Sequence, residues 1–244
     1  GALPPLLKIK EIEFSANVLN AEQTATLSIT IANVGPGSAN DVQVKLSGYL
    51  NGIDYPETTR FPLIESKNGN RTVEIPIKGK INLPTGEAVM KVEVFEPHFK
   101  VKIQGKQLKF ATREFQKPEL ILAQYAASEN GSANPNNQID INEMVDLKFA
   151  VQNIGQGPAE DVKIRVTGSQ NGVMFLGIGE QLQRDDPAFF SIGSGKYELL
   201  TYRFFVNSEF TGDQLEFTIT TTEEKNQYGF TETKYFPINK QLKE

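Results

Sequence analysis

The sequence contains no cysteine and a single histidine, His98, among its 244 residues. Because it lacks cysteine, the chain has no disulfide, no thiol nucleophile and no zinc–thiolate site. A Ser–His–Asp hydrolase would need His98 as its base, yet no G-x-S-x-G segment is present to supply the nucleophile. We therefore expect that the protein is not an enzyme and has no catalytic residue.

A long apolar run and a cluster of basic residues are also absent. No apolar stretch approaches the roughly 20 residues that a membrane-spanning helix needs, so we expect no membrane insertion. The formal net charge is −5, and lysine and arginine do not concentrate in any one segment. A nucleic-acid-binding surface usually shows a basic patch or stripe, so we expect no nucleic-acid partner.

An internal repeat is the most informative feature that the sequence does contain. Residues 27–48 read LSITIANVGPGSANDVQVKLSG, and residues 147–168 read LKFAVQNIGQGPAEDVKIRVTG, at a constant offset of 120 residues. A repeat of this length fits two copies of one small domain, which predicts domains at 1–116 and 117–244. The join at Gln116-Lys117-Pro118 is too short for a flexible tether, and this predicts restricted bending between the two domains.

Apolar and polar residues alternate with a period of two in both halves. Examples are ATLSITI at 25–31 and VDLKFAV at 145–151. Turn-forming pairs such as Asn51-Gly52 and Asn171-Gly172 separate these segments. Many short, half-buried strands joined by such turns predict an all-β sandwich or barrel. The predicted strands are 6–14, 24–33, 40–48, 71–78, 87–96 and 106–115, then 119–126, 144–153, 160–168, 172–177, 197–207, 214–222 and 229–238.

The motif N-[VI]-G-x-G-x-A-x-D-V occurs at 33–42 and again at 153–162. We interpret it as a tight connection between two strands, in which Gly35 and Gly155 supply backbone conformations with positive φ. The motif resembles that of the bacterial and archaeal Ig-like β-sandwiches of the cell-adhesion-related, or CARDB-like, group.

The resemblance, which is strongest over 24–52 and 144–172, implies two tandem immunoglobulin-like β-sandwich domains. It also implies a non-catalytic accessory module, for protein interaction or as a spacer, in a larger secreted or cell-envelope protein. The implied location is extracytoplasmic: secreted, periplasmic or at the cell surface. The implied partners are another protein or neighbouring domains of the same chain, such as a peptidase domain.

An alternative function is a carbohydrate-binding module of a secreted hydrolase. Carbohydrate-binding sandwiches usually present exposed tryptophan or tyrosine rings, because flat rings cover the faces of sugars. The sequence has seven tyrosines but no tryptophan, and this composition counts against the alternative without removing it.

The asparagine-rich segment 132–143 has no counterpart in the first half and is a candidate calcium loop. Ser132, Asn134, Asn136 and Asp140 fall at loop positions 1, 3, 5 and 9, and Glu143 falls at position 12, where a calcium loop has its bidentate glutamate.

Related Ig-like domains carry the fuller pattern D-x-N-x-N-G-x-I-D-x-x-E before this strand. Here Ser132 replaces the first aspartate and Asn137 replaces the glycine, which leaves two carboxylates. The sequence therefore predicts a weak calcium site with Asn134, Asn136, Asp140 and Glu143 as ligands. The alternative is a metal-free loop in which the asparagine side chains cap their own turns. No other cofactor is expected.

Overall fold

The chain divides into two compact units, which we call unit 1 (Gly1–Phe115) and unit 2 (Gln116–Glu244). The computed structural model describes residues 2–49, 51–103, 105–131, 136–179, 181–182 and 186–239. Over these residues the chain forms strands and turns and no helix, so the predicted all-β class is confirmed. A helix long and apolar enough to cross a membrane is accordingly not found in the described part of the chain.

Unit 1 consists of two sheets that enclose one core. Its strands are β1 (Leu7–Phe14), β2 (Val18–Asn20), β3 (Thr24–Asn33), β4 (Ala39–Tyr49), β5 (Ile53–Asp54), β6 (Thr58–Ile64), β7 (Gly69–Gly79), β8 (Gly86–Glu96), β9 (Val101–Ile103) and β10 (Gln107–Arg113). One sheet has the strand order β1-β3-β7-β5, and the other has the order β2-β10-β8-β4-β6, with β9 paired to β8. Strand β2 runs parallel to β10, and the other neighbours are antiparallel.

Unit 2 repeats this plan. Its strands are β11 (Leu120–Asn130), β12 (Glu143–Asn153), β13 (Ala159–Thr167), β14 (Val173–Ile178), β15 (Ala188–Ile192), β16 (Tyr197–Val206), β17 (Gln214–Thr222) and β18 (Phe230–Pro237). The two sheets have the orders β11-β12-β16-β14 and β15-β13-β17-β18. Alternate residues of each strand enter the core, as Leu147, Phe149 and Val151 do from one sheet and Leu215, Phe217 and Ile219 from the other. Each unit is therefore a sandwich-like pair of sheets.

Strands β2, β5, β6, β9 and β15 were not expected from the sequence. They are two to seven residues long and lie at sheet edges or are short additions beside longer strands. Strand β6 also contains Pro62, and a proline argues against a strand when only the sequence is considered. At the edge of a sheet it is tolerated, because the N–H that proline lacks is not needed for pairing there.

The buried asparagine of the repeated motif ties three segments together in each unit. Asn33 Oδ1 accepts the backbone N–H groups of Leu6 and Gly35, both at 3.1 Å. Its Nδ2 donates to the carbonyls of Gly37 and Ile64 at 2.8 and 3.1 Å. The side chain thus joins the entry to β1, the β3–β4 connection and the end of β6 in the opposite sheet.

Asn153 makes the same four bonds in unit 2. Its Oδ1 accepts from Glu119 and Gly155, both at 3.0 Å, and its Nδ2 donates to Gly157 and Ile192 at 2.8 and 3.0 Å. Both asparagines have no exposed surface. The two copies of the motif therefore form the same connection, as the constant offset predicted.

The motif glycines are needed for close approach of the backbone, and the expectation of positive φ at Gly35 and Gly155 is wrong. The motif residues with positive φ are instead Asp41 (52°) and Asp161 (50°), neither of which pairs with a residue of the adjacent strand β6 or β15. A Cβ on Gly35 would lie 2.3 Å from the Leu6 nitrogen, and one on Gly155 would lie 2.5 Å from the Glu119 nitrogen.

A second repeated anchor, which the sequence did not reveal, is a buried glutamate after an equivalent strand. Strand register places Glu96 at the end of β8 and Glu223 just after β17 in corresponding positions. Glu96 accepts backbone N–H groups of His98 and Phe99 at 2.9 and 2.7 Å. Glu223 accepts those of Lys225, Gln227 and Tyr228 at 2.9, 2.9 and 3.3 Å. Each carboxylate therefore closes the turn that follows it.

We predict that Gly35→Ala destabilises unit 1 by more than about 2 kcal/mol, because the new methyl group forces the β1 entry away from the motif. The matched control is Gly86→Ala, since a Cβ there meets no atom within 4 Å. That control should be neutral or slightly stabilising. Urea unfolding of both variants checks the expectation, and equal unfolding free energies would contradict it.

Candidate metal centre and apolar groove

An acidic cluster lies at the end of unit 2 where β11 ends and β12 begins. Glu129 pairs with Val145, and Glu143 pairs with Val206. Both valines are fully buried in the core. Paired residues of antiparallel strands point to the same face, so the two glutamates face the interior side of the sandwich at its rim.

Three half-buried carboxylates meet at this rim. One oxygen from each of Glu129, Asp140 and Glu143 lies within 4.8 Å of the others. Glu129 Oε1 accepts the backbone N–H groups of Asn136 and Asn137 at 2.7 and 2.9 Å, whereas its Oε2 is buried without a hydrogen-bond partner. Glu143 Oε2 accepts the backbone N–H of Asp140 at 3.0 Å.

Asparagine amides hold Asp140 in place. Its Oδ2 accepts from Asn136 Nδ2 at 2.9 Å, and its Oδ1 accepts from Asn239 Nδ2 at 2.8 Å. The Asn136 Oδ1 accepts the backbone N–H of Gln138 at 2.9 Å, which is an Asx turn. Asn137 has a φ of 59°, so the residue at the glycine position of the calcium-loop pattern adopts the left-handed conformation that glycine favours.

The structure brings together Asp140 and Glu143 among the predicted ligands. Asn136 lies beside them, with its amide on Asp140. Asn134 and Ser132 lie outside the described residues. Glu129 was not among the predicted ligands, because the predicted strand ended at 126 whereas β11 continues to Asn130. An acidic residue at a core-facing position of that longer strand would have been the signal.

The donor set fits a hard divalent cation. All three groups are carboxylates, and calcium and magnesium both prefer oxygen ligands. Two oxygens bound to the same calcium ion lie at most about 4.6–5.2 Å apart, so oxygens that all lie within 4.8 Å of one another can share one ion. Glu129 Oε2 is in addition a buried anionic atom that lacks a donor. A bound cation would give this oxygen the partner that it lacks.

A buried ion pair lies on the outer face of the same sheet. Arg203 donates to both oxygens of Asp146, at 2.7 and 3.1 Å, and Asn130 donates to the Oδ2 of Asp146. The two charged side chains are 17% and 7% exposed. Burial raises the pKa of Asp146, but the hydrogen bonds from Arg203 and Asn130 and the nearby positive charge outweigh it, so the pKa lies below its ordinary value.

A groove of about 670 Å³ crosses β11, β12 and β16 of this sheet. Its outer-face residues include Gln124, Ala150 and Leu199, which are opposite one another in register. Leu199 is 69% exposed, and the nearby Tyr197 is 59% exposed. Tyr197 and Leu199 are two residues apart on β16, so their exposed side chains lie next to each other on this face.

Unit 1 has a polar surface at the corresponding positions. The offset and the strand register match Ala150 with Thr30 and Leu199 with Thr72. The hydroxyls of Thr30 and Thr72 are 2.8 Å apart and hydrogen-bonded. Glu11 pairs with Thr30 where unit 2 has Gln124. The apolar groove is therefore a feature of unit 2 that the shared fold does not require.

No model of a known protein family matches the chain, and no curated protein matches it. A solved structure of Escherichia coli alpha-2-macroglobulin activated by porcine elastase aligns with 97% of the chain, at 11% identity and a TM-score of 0.32. The chain spans 22% of that protein's length. A similarity of this size identifies neither a fold nor a function.

We predict that Asp146→Asn lowers the unfolding free energy at pH 7 by about 2–4 kcal/mol, because the buried ion pair with Arg203 loses its negative charge. The Asp146 pKa is lowered in the folded state, so its contribution is present above the unfolded pKa of about 3.9 and is lost as pH falls through the folded value. The gap between variant and wild type should therefore close in acid.

Urea unfolding at pH 7 and pH 3 measures both quantities. Asp54→Asn, at an exposed position in unit 1, is the matched control and should show a small gap at both pH values. A gap for Asp146→Asn that does not change with pH would contradict the prediction.

Proposed function

We propose that the chain is a pair of tandem Ig-like β-sandwich modules belonging to a larger secreted or cell-envelope protein. Two sheets around each core support the Ig-like assignment, and so does the connection that the repeated motif at 33–42 and 153–162 forms in both units. The extracytoplasmic location rests on the resemblance of that motif to the cell-adhesion-related group. In this proposal the modules are non-catalytic and serve interaction or spacing.

The duplicated polar side chains support a structural role for the parts that the units share. Asn33 and Asn153 satisfy backbone groups, and so do Glu96 and Glu223. His98, the one histidine of the sequence, lies exposed in the turn that Glu96 closes. The buried polar groups that recur in both units thus maintain the fold.

The groove of unit 2 carries the interaction part of the proposal. Where unit 1 has the Thr30–Thr72 hydrogen bond, unit 2 has Ala150 beside the exposed Leu199. Exposed aliphatic side chains favour contact with apolar side chains of a protein. We infer that unit 2 binds a partner protein or a neighbouring domain, such as a peptidase domain, and that unit 1 acts mainly as a spacer.

The alternative, a carbohydrate-binding module, is favoured by one observation. Tyr197 is 59% exposed, two residues before the groove residue Leu199 on β16, and its ring offers a flat apolar surface with a hydroxyl at its tip. A glycan array separates the two functions. Binding to the array that Tyr197→Ala abolishes would favour the carbohydrate-binding module over the protein-binding one.

We predict that a photo-reactive phenylalanine in place of Leu199 forms covalent adducts with a polypeptide when the full-length protein is irradiated in its own cells. The same residue in place of Thr72, at the equivalent position of unit 1, is the control and should give little adduct. Mass spectrometry of the adducts identifies the polypeptide. Equal yields at the two positions, or no adduct at Leu199, would contradict a protein-binding groove.

A further inference from the structure

We propose that Glu129 completes a calcium site with Asp140 and Glu143, and that the ion fastens the segment 136–142 across the end of unit 2. The inference concerns this end of the sandwich and does not depend on the groove or on the proposed function. It adds to the loop pattern a ligand from β11, a strand that precedes the loop.

The strongest observation is the Oε2 atom of Glu129. It is buried and has no hydrogen-bond partner, although Oε1 of the same carboxylate accepts two backbone N–H groups. A buried anionic oxygen without a partner is costly, and a bound cation is a partner that would remove this cost. The oxygens of Asp140 and Glu143 that complete the cluster lie within 4.8 Å.

Unit 1 shows how the same end of the sandwich is held without an ion. Two residues past the last β1–β3 pair, Phe14 with Leu27, Ala16 takes the place that Glu129 has in unit 2, two residues after the equivalent pair of Ala127 with Leu147. Leu19, which has no exposed surface, closes the core there from β2, and β2 pairs with β10 along residues 18–20. A stretch of backbone pairing thus anchors the segment that closes unit 1.

Unit 2 closes its core with Ile139, which is 6% exposed. Within the described residues, the Ile139 carbonyl accepts a backbone hydrogen bond from the N–H of Asn239, at 2.7 Å. This bond joins the loop to the segment that follows β18. The Asn239 amide also donates to Asp140 at 2.8 Å. An ion on Asp140 would therefore connect β11 and β12 with the residue that follows β18, and would take over the role of the β2–β10 pairing.

Calcium fits this site better than magnesium. Magnesium needs oxygens at 2.0–2.1 Å in near-ideal octahedral geometry and gives up its water reluctantly, whereas calcium accepts irregular sites at 2.3–2.6 Å. Glu129 lies in β11, Asp140 in the loop and Glu143 at the start of β12, and ligands from three such different elements favour an irregular coordination geometry. Three carboxylates with neutral amide neighbours suit the range of extracellular modules, about 0.1–1 mM.

Isothermal titration of the whole chain with calcium chloride, after treatment with a chelator, tests the proposal. We expect one site with a dissociation constant near or below 1 mM. Glu129→Gln keeps the shape of the side chain and an acceptor for the two N–H groups, but removes the charge, and should raise the dissociation constant at least about tenfold. Glu209→Gln, at an exposed position in unit 2, is the matched control and should bind as the wild type does.

Hydrogen exchange provides the readout for the fastening of the loop. Calcium should slow exchange at the amides of 136–142 in the wild type and should leave the amides of β2 in unit 1 unchanged. Circular dichroism establishes that each variant is folded. Absence of calcium binding by the wild type, equal affinity of Glu129→Gln, or equal affinity for magnesium would each overturn the assignment.

Discussion

The fully buried amides of Asn33 and Asn153 set the constraint on which the rest of each unit depends. One planar side chain offers two donors and one oxygen that accepts twice, and here all four bonds go to backbone groups. Those groups belong to the first strand, the motif connection and the opposite sheet, so a single side chain fixes how the two sheets meet. An unsatisfied group at this depth would cost about 1–3 kcal/mol, which makes partial satisfaction a poor alternative.

The neighbouring features of the motif follow from this arrangement. The segment before β1 must approach the connection closely enough for Asn33 to reach the Leu6 nitrogen, and a Cβ at Gly37 would lie 1.7 Å from the Leu3 oxygen. The chain then crosses to the other sheet, where β4 begins at Ala39, and the positive φ at Asp41, inside β4, comes just before Val42 enters the core. Glycine, aspartate and valine thus have separate steric reasons for their places in the motif.

The sequence could predict those parts of the fold that depend on local pattern. Alternation predicted the long strands within a few residues, because half-buried strands with one core face need it. The short strands β5, β9 and β15 were not predicted, because segments of two to five residues contain too little alternation of apolar and polar residues. The reason given for Gly35 was wrong because close approach of β1 is a tertiary contact. Glu129 was missed for a related reason: its place in the acidic cluster depends on the register of β11 against β12.

The two units close the same end of the sandwich in different ways, and the stability of the two closures depends differently on the calcium concentration. Backbone pairing such as that of β2 with β10 is present in any solution in which the fold exists. An ion held by Glu129, Asp140 and Glu143 adds stability only as free calcium exceeds the dissociation constant. At ten times that constant the added stability is about 1.4 kcal/mol, and well below the constant it vanishes. Calcium-dependent closure of unit 2 would therefore make the stability of one module depend on the calcium concentration, whereas that of the other would not.

The groove lies on the strands β11, β12 and β16, and the ends of these same strands frame the acidic cluster. A bound ion would therefore stiffen the sheet that carries the groove.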